Sequence, residues 1–196
     1  MSGIIRPLLF GGTAMVVATP TLTAEEFFKL HGHESNVDLV RGHVVRYPMP
    51  GTIHGVVCFN AAMIFGLFIK QAKLGRVMGN DTLIRISADT ARGADLCYVS
   101  YAKLPPGKSS EKMLEVPPDL VVEVRSPSNT WTDMVEKMLD YQHFGVPVVV
   151  IIDPETESAS VYRSGTKQDI FEKNQTLTLP DVLPGFEVLV SRFFEE

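Results

Sequence analysis

Residues 117–129 decide the fold, and their sequence is PPDLVVEVRSPSN. Successive side chains of a strand point to opposite faces, so Leu120, Val122 and Val124 form one apolar face. Glu123 and Arg125 lie on the other face. A buried carboxylate without a partner is costly. Glu123 therefore requires a cation or a network of hydrogen bonds, and the identity of that partner bears on function.

The segments that follow predict a strand–helix–strand unit. TWTDMVEKMLDYQHFG, residues 130–145, has the pattern of a helix that ends at Gly145. VPVVVIID, residues 146–153, is a continuous apolar run, as expected of a strand in a covered sheet. We expect the two strands to be parallel and joined by a crossover.

The rest of the chain predicts further elements around this unit. Thr23 and Glu26 form a capping-box pattern for a helix that runs to about Leu30. The other expectations are a hairpin in 37–48, a long helix in 52–73 with Gly75 as its stop, a strand pair broken near Gly79 in 76–87, strands in 94–100, 158–164 and 169–174, and a short tail. This order predicts an α/β (α+β) fold, a mixed central β-sheet flanked by helices.

Composition places limits on the class of protein. The chain has 196 residues, 45% hydrophobic and 21% charged, which predicts one globular domain, residues 23–196, after an N-terminal extension, residues 1–22. A net charge of −5 argues against a globally basic nucleic-acid coat but leaves room for a local basic groove. Cys58 and Cys97 lack CxxC spacing, which predicts reduced thiols in a cytoplasmic protein. AAMIFGLFI is too short to cross a bilayer, so we expect no membrane segment.

The residues alone leave two possible partners for the buried carboxylate of Glu123. It can pair with Arg125, two positions along the same strand face, as a structural ion pair. Alternatively, Glu123 and a second acid can hold a divalent metal, since Mg²⁺ is bound by one or two carboxylates. Asp95, at the start of DLCYV, is the best second acid. Its alternative role is to accept hydrogen bonds from turn amides.

Lys137 is the third member of this constellation. The stripe Met134, Met138 and Tyr141 should face the sheet, and Lys137 lies on or beside it. A lysine there can bury its stem and bring its ammonium group to the end of the neighbouring strand. A solvent-facing pair with Asp133 is the alternative. Two carboxylates and a lysine together suit hydrolysis of a phosphodiester by metal-activated water.

RGADLCYVS, residues 92–100, and residues 117–155 resemble the Uma2 family, formerly DUF820, of the PD-(D/E)XK nuclease superfamily. The resemblance implies a restriction-endonuclease-like fold. It also implies that Asp95 and Glu123 bind metal and that Lys137 completes the catalytic group.

The same resemblance implies accessory roles, with three departures from the family pattern. Asp38 matches an early family glutamate but is one methylene shorter, and His54 matches a recurrent histidine. Ala94 replaces a usual proline. Arg125 occupies the usual lysine position of the superfamily, and a guanidinium group stays charged, so a phosphate-binding or Glu123-pairing role suits it better.

The sequence thus predicts an endonuclease that uses Mg²⁺, with Mn²⁺ as an alternative, to hydrolyse DNA, and that forms a homodimer. The competing hypothesis is a catalytically silent nucleic-acid-binding or interaction module with the same fold. A hydrolase of another phosphoester with the same metal site is a third hypothesis.

Overall fold

The structure is a computed structural model that describes residues 21–108 and 111–196. Its helices are α1 (Ala24–His31), α2 (Thr52–Gln71), α3 (Trp131–Phe144) and a 3₁₀ helix (Val190–Phe194). Its strands are β1 (Val37–Val40), β2 (His43–Arg46), β3 (Gly75–Arg85), β4 (Ala91–Ser100), β5 (Leu120–Val124), β6 (Val148–Asp153), β7 (Ser158–Arg163), β8 (Asp169–Glu172), β9 (Thr176–Leu179) and β10 (Leu183–Leu189). The predicted extension, residues 1–22, lies outside the described residues except for its last two.

Eight strands form one mixed sheet in the order β2-β1-β4-β5-β6-β7-β8, with β3 also paired to β4. The pair β5–β6 is parallel, as the strand–helix–strand pattern predicts, and the other ladders of the sheet are antiparallel. Strands β9 and β10 form a separate antiparallel pair. The predicted α+β class with a mixed sheet flanked by helices is confirmed.

Strand β4 has a gap along one of its edges. Ala91 pairs with Arg85 of β3 and also with Leu39 of β1. Leu96 pairs with Gly79 of β3 and with Val122 of β5. Because a strand residue has only two edges, β1 and β5 must lie on the same edge of β4. The stretch 92–95 lies between them, and side chains replace a neighbouring strand there.

The two faces of the sheet are covered by different helices. Leu120, Val122 and Val124 pack in the cluster that includes the buried side of α2, which confirms the predicted apolar face. Val121 packs with Met138 and Tyr141 of α3 on the opposite face. Both faces of β5 are therefore buried, and Glu123 is only 4% exposed.

The predicted break near Gly79 is wrong, because β3 is one continuous strand. Asn80 and Asp81 have φ angles of 60° and 56°, and the register with β4 shifts between Gly79 and Thr82. This irregularity is a β-bulge, which bends a strand without ending it. Residues with turn-forming preferences produce the same local sequence pattern in a bulge as in a turn.

The predicted helix stop at Gly75 is also wrong. Helix α2 ends at Gln71, and Lys73 adopts the left-handed conformation with φ 53°. Gly75 begins β3 instead, where a Cβ would lie 2.7 Å from Cα of Ser100. The glycine is needed for close pairing of two strands rather than for a helix cap.

The C-terminal segment, predicted as a short tail, forms β9, β10 and the 3₁₀ helix. Its aromatic residues enter the core beside α2. The ring of Phe65 stacks on Phe186 at 4.8 Å and on Phe193 at 5.8 Å between centroids. Sequence periodicity gave no sign of this packing because the two strands are short and interrupted by Pro184 and Gly185.

Helix α2 is longer than the apolar run from which we expected no membrane segment. Among the described residues it is the one helix whose length and apolar composition suit a membrane span. One such helix is weak evidence for a membrane span, since the core helices of soluble proteins share this length and composition. Val57, Ala61, Phe65 and Ile69 are buried in the fold, while the opposite side of α2 is exposed.

Candidate active site

Asp95 lies at the point along β4 where the pairing with β5 begins, next to the last residue of β5. Its Oδ2 accepts a hydrogen bond of 2.8 Å from the backbone N–H of Val124 and lies 3.5 Å from Nε2 of His54. A strand amide, and not the turn amides considered as an alternative, therefore satisfies this carboxylate. Burial raises the pKa of Asp95, but the hydrogen bond from His54 and the charge of Lys137 outweigh burial and lower it overall. Asp95 is ionised at neutral pH.

Glu123 is held from both sides by α3. Nζ of Lys137 donates to Oε2 at 2.9 Å, and the hydroxyl of Tyr141 donates to Oε1 at 2.7 Å. Burial raises the pKa of Glu123 to about 7; the charge of Lys137 counteracts this rise and the nearby charge of Asp95 adds to it. Burial thus disfavours the charged form of Glu123 even though two side chains donate hydrogen bonds to it.

The local sequence of α3 explains how Lys137 and Tyr141 reach Glu123. Thr130 and Asp133 form a capping box that starts the helix, and Gly145, with φ 104°, ends it. Residues four apart on a helix lie on the same face, so the two donors stand one turn apart over β5. Asp133 is engaged by Thr130, and the alternative pairing of Lys137 with Asp133 is not formed.

Asp38 accepts two hydrogen bonds from the stretch 92–95 of β4, which has no neighbouring strand on one edge. Its Oδ1 accepts from the backbone N–H of Gly93 at 2.8 Å, and its Oδ2 accepts from Nη1 of Arg92 at 3.2 Å. Arg92 is 3% exposed and also donates to Oδ2 of Asp140 at 2.6 Å. This network joins β1, β4 and α3. Within it, the carboxylate of Asp38 accepts the hydrogen bond from the backbone N–H of Gly93 that a neighbouring strand would otherwise accept.

His54 and Cys58 lie one turn apart near the start of α2. Sγ of Cys58 is 3.5 Å from Nδ1 of His54, and potential ligand atoms of His54, Cys58 and Asp95 lie within 4.8 Å of one another. Burial lowers the pKa of His54, but the hydrogen bond with Asp95 raises it overall. Burial raises the pKa of Cys58, so the free thiol is protonated.

Arg125 lies apart from the other candidate residues. Its Nη1 donates to Oδ1 of Asp153 at 3.0 Å and to Oε2 of Glu155 at 2.7 Å. Its guanidinium carbon is 5.3 Å from the ring centroid of Trp131. The alternative ion pair between Glu123 and Arg125 is not formed, because β5 ends at Val124 and the chain turns toward the end of β6.

The remaining five candidate residues line one pocket of about 60 Å³: Asp38, His54, Asp95, Glu123 and Lys137. That volume accommodates several water-sized groups. Each carboxylate offers about four lone pairs, and the hydrogen bonds to Asp95 and Glu123 leave acceptor capacity on both. The unbalanced negative charge and the oxygen donors fit a hard divalent cation such as Mg²⁺.

Several residues of the site were not identified as functional from the sequence. Tyr141 was assigned to the apolar stripe, and its position four after Lys137 is the signal that it shares Glu123. Cys58 similarly follows His54 by four positions. Arg92 and Asp140 are 48 residues apart, so no local pattern indicates their contact.

A mixed sheet between two helical layers, with two acids and a lysine at one end, defines a nuclease-like class of protein. A solved structure described as a "putative nuclease belonging to DUF820 from Anabaena variabilis ATCC 29413" shares this fold. Its TM-score is 0.78 at 19% identity, covering 88% of this chain and 97% of that chain. Residues 24–191 match the Uma2 family, whose description is "Putative restriction endonuclease". The chain belongs to the Uma2 family, as the motifs predict. No curated protein matches it.

Proposed function

We propose that this protein is an endonuclease that hydrolyses DNA phosphodiester bonds with Mg²⁺, for which Mn²⁺ can substitute. The observation that carries the proposal is the meeting of three groups in one pocket. Asp95 comes from β4, Glu123 from β5 and Lys137 from α3, and Nζ of Lys137 is 2.9 Å from Glu123. Membership of a family whose description is "Putative restriction endonuclease" supports this proposal.

Asp95 and Glu123 are the proposed metal ligands. When bound, Mg²⁺ supplies Lewis-acid chemistry, polarising a phosphoryl oxygen and lowering the pKa of water. Tyr141 holds one oxygen of Glu123 and thereby fixes the orientation of that carboxylate. His54 does the same for Asp95. Such partners of ligating carboxylates hold them in the orientation that metal binding requires.

Lys137 is the proposed electrostatic group of the reaction. Burial lowers its pKa, but the charges of Glu123, Asp38 and Asp95 raise it well above the usual range. The ammonium group therefore stays protonated at neutral pH, which makes it unsuited to remove a proton from water. It orients the attacking water and stabilises negative charge on the phosphoryl oxygens.

Asp38 and Arg125 have supporting roles in this proposal. Asp38 is bound by Arg92 and Gly93, so it positions the stretch 92–95 of β4 beside the metal site. Arg125 anchors the segment after β5 to Asp153 and Glu155. It thereby fixes the start of α3, which delivers Lys137.

The proposed partners are a DNA duplex and a second copy of the chain, because a two-fold dimer presents one site to each strand. The two free cysteines, Cys58 and Cys97, support a reducing, cytoplasmic location. We propose no membrane-embedded state, since one side of α2 contributes to the core.

Plasmid and single-stranded DNA cleavage tests the proposal directly. Wild type with Mg²⁺ or Mn²⁺ is expected to cut, and Glu123→Gln and Lys137→Met are each expected to be at least ~100-fold slower. Glu136→Gln and Lys29→Met change exposed residues of the same types and should cut like wild type. Equal cleavage by all five proteins would identify a contaminating nuclease and contradict the proposal.

The second candidate function is a catalytically silent nucleic-acid-binding or interaction module. Arg125, which stands at the usual lysine position of the superfamily, and the net charge of −5 favour it. It predicts DNA retardation in a gel with Ca²⁺ in place of Mg²⁺, and no metal-dependent products from wild type. Retardation without products would select this function over the nuclease.

A further inference from the structure

Helix α2 has an exposed apolar stripe on the side that faces away from the sheet. Phe59, Met63 and Leu67, spaced four residues apart, are 65%, 46% and 51% exposed. Residues 52–69 contain no Asp, Glu, Lys or Arg. A helix packed on one side of a sheet normally has polar residues on its outer face. This outer face is apolar over about two turns, from Phe59 to Leu67.

The exposed stripe is comparable in size to the largest apolar patch of a typical monomer. The three side chains together expose roughly 300 Å² of apolar surface, and patches of this kind are often functional. A standard interface buries about 800 Å² per partner. The stripe therefore provides the apolar centre of an interface of that class, and the neighbouring polar side chains provide its rim.

A hollow lies within the same face at Gly66. The glycine itself is buried, yet nothing lies within 4 Å of the position that its Cβ would occupy. A glycine inside a helix costs about 1 kcal/mol relative to alanine, and no contact within the described residues requires it. A side chain from another molecule that packed at this position would explain the glycine, because a larger residue would occupy the same space. In packed helices, a side chain of one helix inserts into such a space on the other.

We infer that this face is the homodimer interface and that two copies of α2 pack antiparallel across a two-fold axis between Ala62 and Met63. This symmetry places Met63 of one copy over Ala62 of the other and Phe59 over Gly66. Each of these pairs sets a large side chain against a small one. The absence of charge from the stripe matters as well, because a charged patch of one sign would repel its own copy.

This inference deepens the proposed function, since it rests on the homodimer proposed there and names its surface. His54 of the site is on the same helix. With a rise of 1.5 Å per residue, the two copies of His54 lie about 26 Å apart along the helix direction. One dimer therefore holds two separate sites.

The test is the oligomeric state of the full chain at 50 µM, measured by sedimentation equilibrium without DNA or metal. Wild type is expected to be a dimer. Phe59→Glu and Gly66→Leu are each expected to raise the dimer dissociation constant at least 100-fold. Gly66→Leu fills the hollow without adding charge, and the open space at its Cβ lets the monomer fold. Leu139→Glu, at an exposed leucine of α3, is the matched control and should remain a dimer.

Cross-linking tests the two-fold arrangement itself. Met63→Cys lies beside the axis, so a short bismaleimide should produce a band at twice 21.6 kDa. Lys70→Cys lies about 22 Å from its symmetry mate along the helices and should give only the wild-type background from Cys58 and Cys97.

A monomeric wild type, or a dimer unaffected by Phe59→Glu and Gly66→Leu, overturns the inference. Because no cleavage is measured, loss of the interface proposal leaves the nuclease proposal standing. Conversely, if the protein is a dimer but does not cleave DNA, the nuclease proposal fails and the interface proposal stands.

Discussion

At the scale of the residue, Glu123 and Lys137 act as one unit because both charges are buried. Lys137→Met removes the ammonium group and leaves Glu123 beside Asp95. We expect a loss of about 3 kcal/mol in the free energy of unfolding, measured by urea denaturation without metal. Glu123→Gln/Lys137→Met should recover much of this loss, because no unpaired buried charge remains.

A double-mutant cycle measures this coupling. Additive effects of the two substitutions would show that the ion pair contributes nothing, and would remove the electrostatic basis for Lys137 at the site.

Tyr141 makes a second prediction at this scale. Tyr141→Phe removes the hydroxyl that donates to Oε1 of Glu123 and leaves that oxygen with one partner fewer in a buried site. We expect a loss of about 1–2 kcal/mol in the free energy of unfolding. Tyr101→Phe changes a tyrosine that is 37% exposed and should have almost no effect. Equal losses in the two variants would contradict a specific role for the Tyr141 hydroxyl.

At the scale of the element, α3 determines the site because it delivers both donors to Glu123. Thr130 accepts from the backbone N–H of Asp133 and donates to its carboxylate. Thr130→Ala removes this capping box, and we expect a loss of about 1 kcal/mol. The measurement is thermal unfolding monitored by circular dichroism.

Thr132→Ala is the control for the cap, since Thr132 is an exposed residue of the first turn of the same helix. It should change stability by less than about 0.5 kcal/mol. A larger effect at Thr132 than at Thr130 would show that the cap does not stabilise α3.

The sequence predicted the type of an element correctly where a single local pattern, such as a helix stop or a continuous apolar run, was clear. Gly145 predicted the end of α3, and the continuous apolar run of β6 predicted a central strand. The prediction failed at Gly79 and Gly75, where a bulge and a close strand contact require the residue types that also form turns and caps. Local patterns do not distinguish these cases, because the difference lies in the neighbouring strand.

At the scale of the whole molecule, we propose that residues 23–196 form a single domain. The C-terminal strands and the 3₁₀ helix share a core with α2 and the central sheet. We expect one cooperative unfolding transition in urea, with coincident curves from circular dichroism and from the fluorescence of Trp131. Trp131 is the only tryptophan and lies at the start of α3. Two separated transitions would contradict a single cooperative domain.

The sequence by itself determined the family and the fold class, because residues 92–100 and 117–155 carry the motifs of the family. Asp95, Glu123 and Lys137, which lie in these segments, stay its prediction for the catalytic residues. Tertiary structure alone decided that Tyr141 shares Glu123, that Arg92 links Asp38 to Asp140, and that Arg125 turns away from the pocket. These contacts join residues distant in sequence, or depend on where a strand ends. Their geometry is set by how β1 and β5 flank the gap in β4, which no short stretch of sequence encodes.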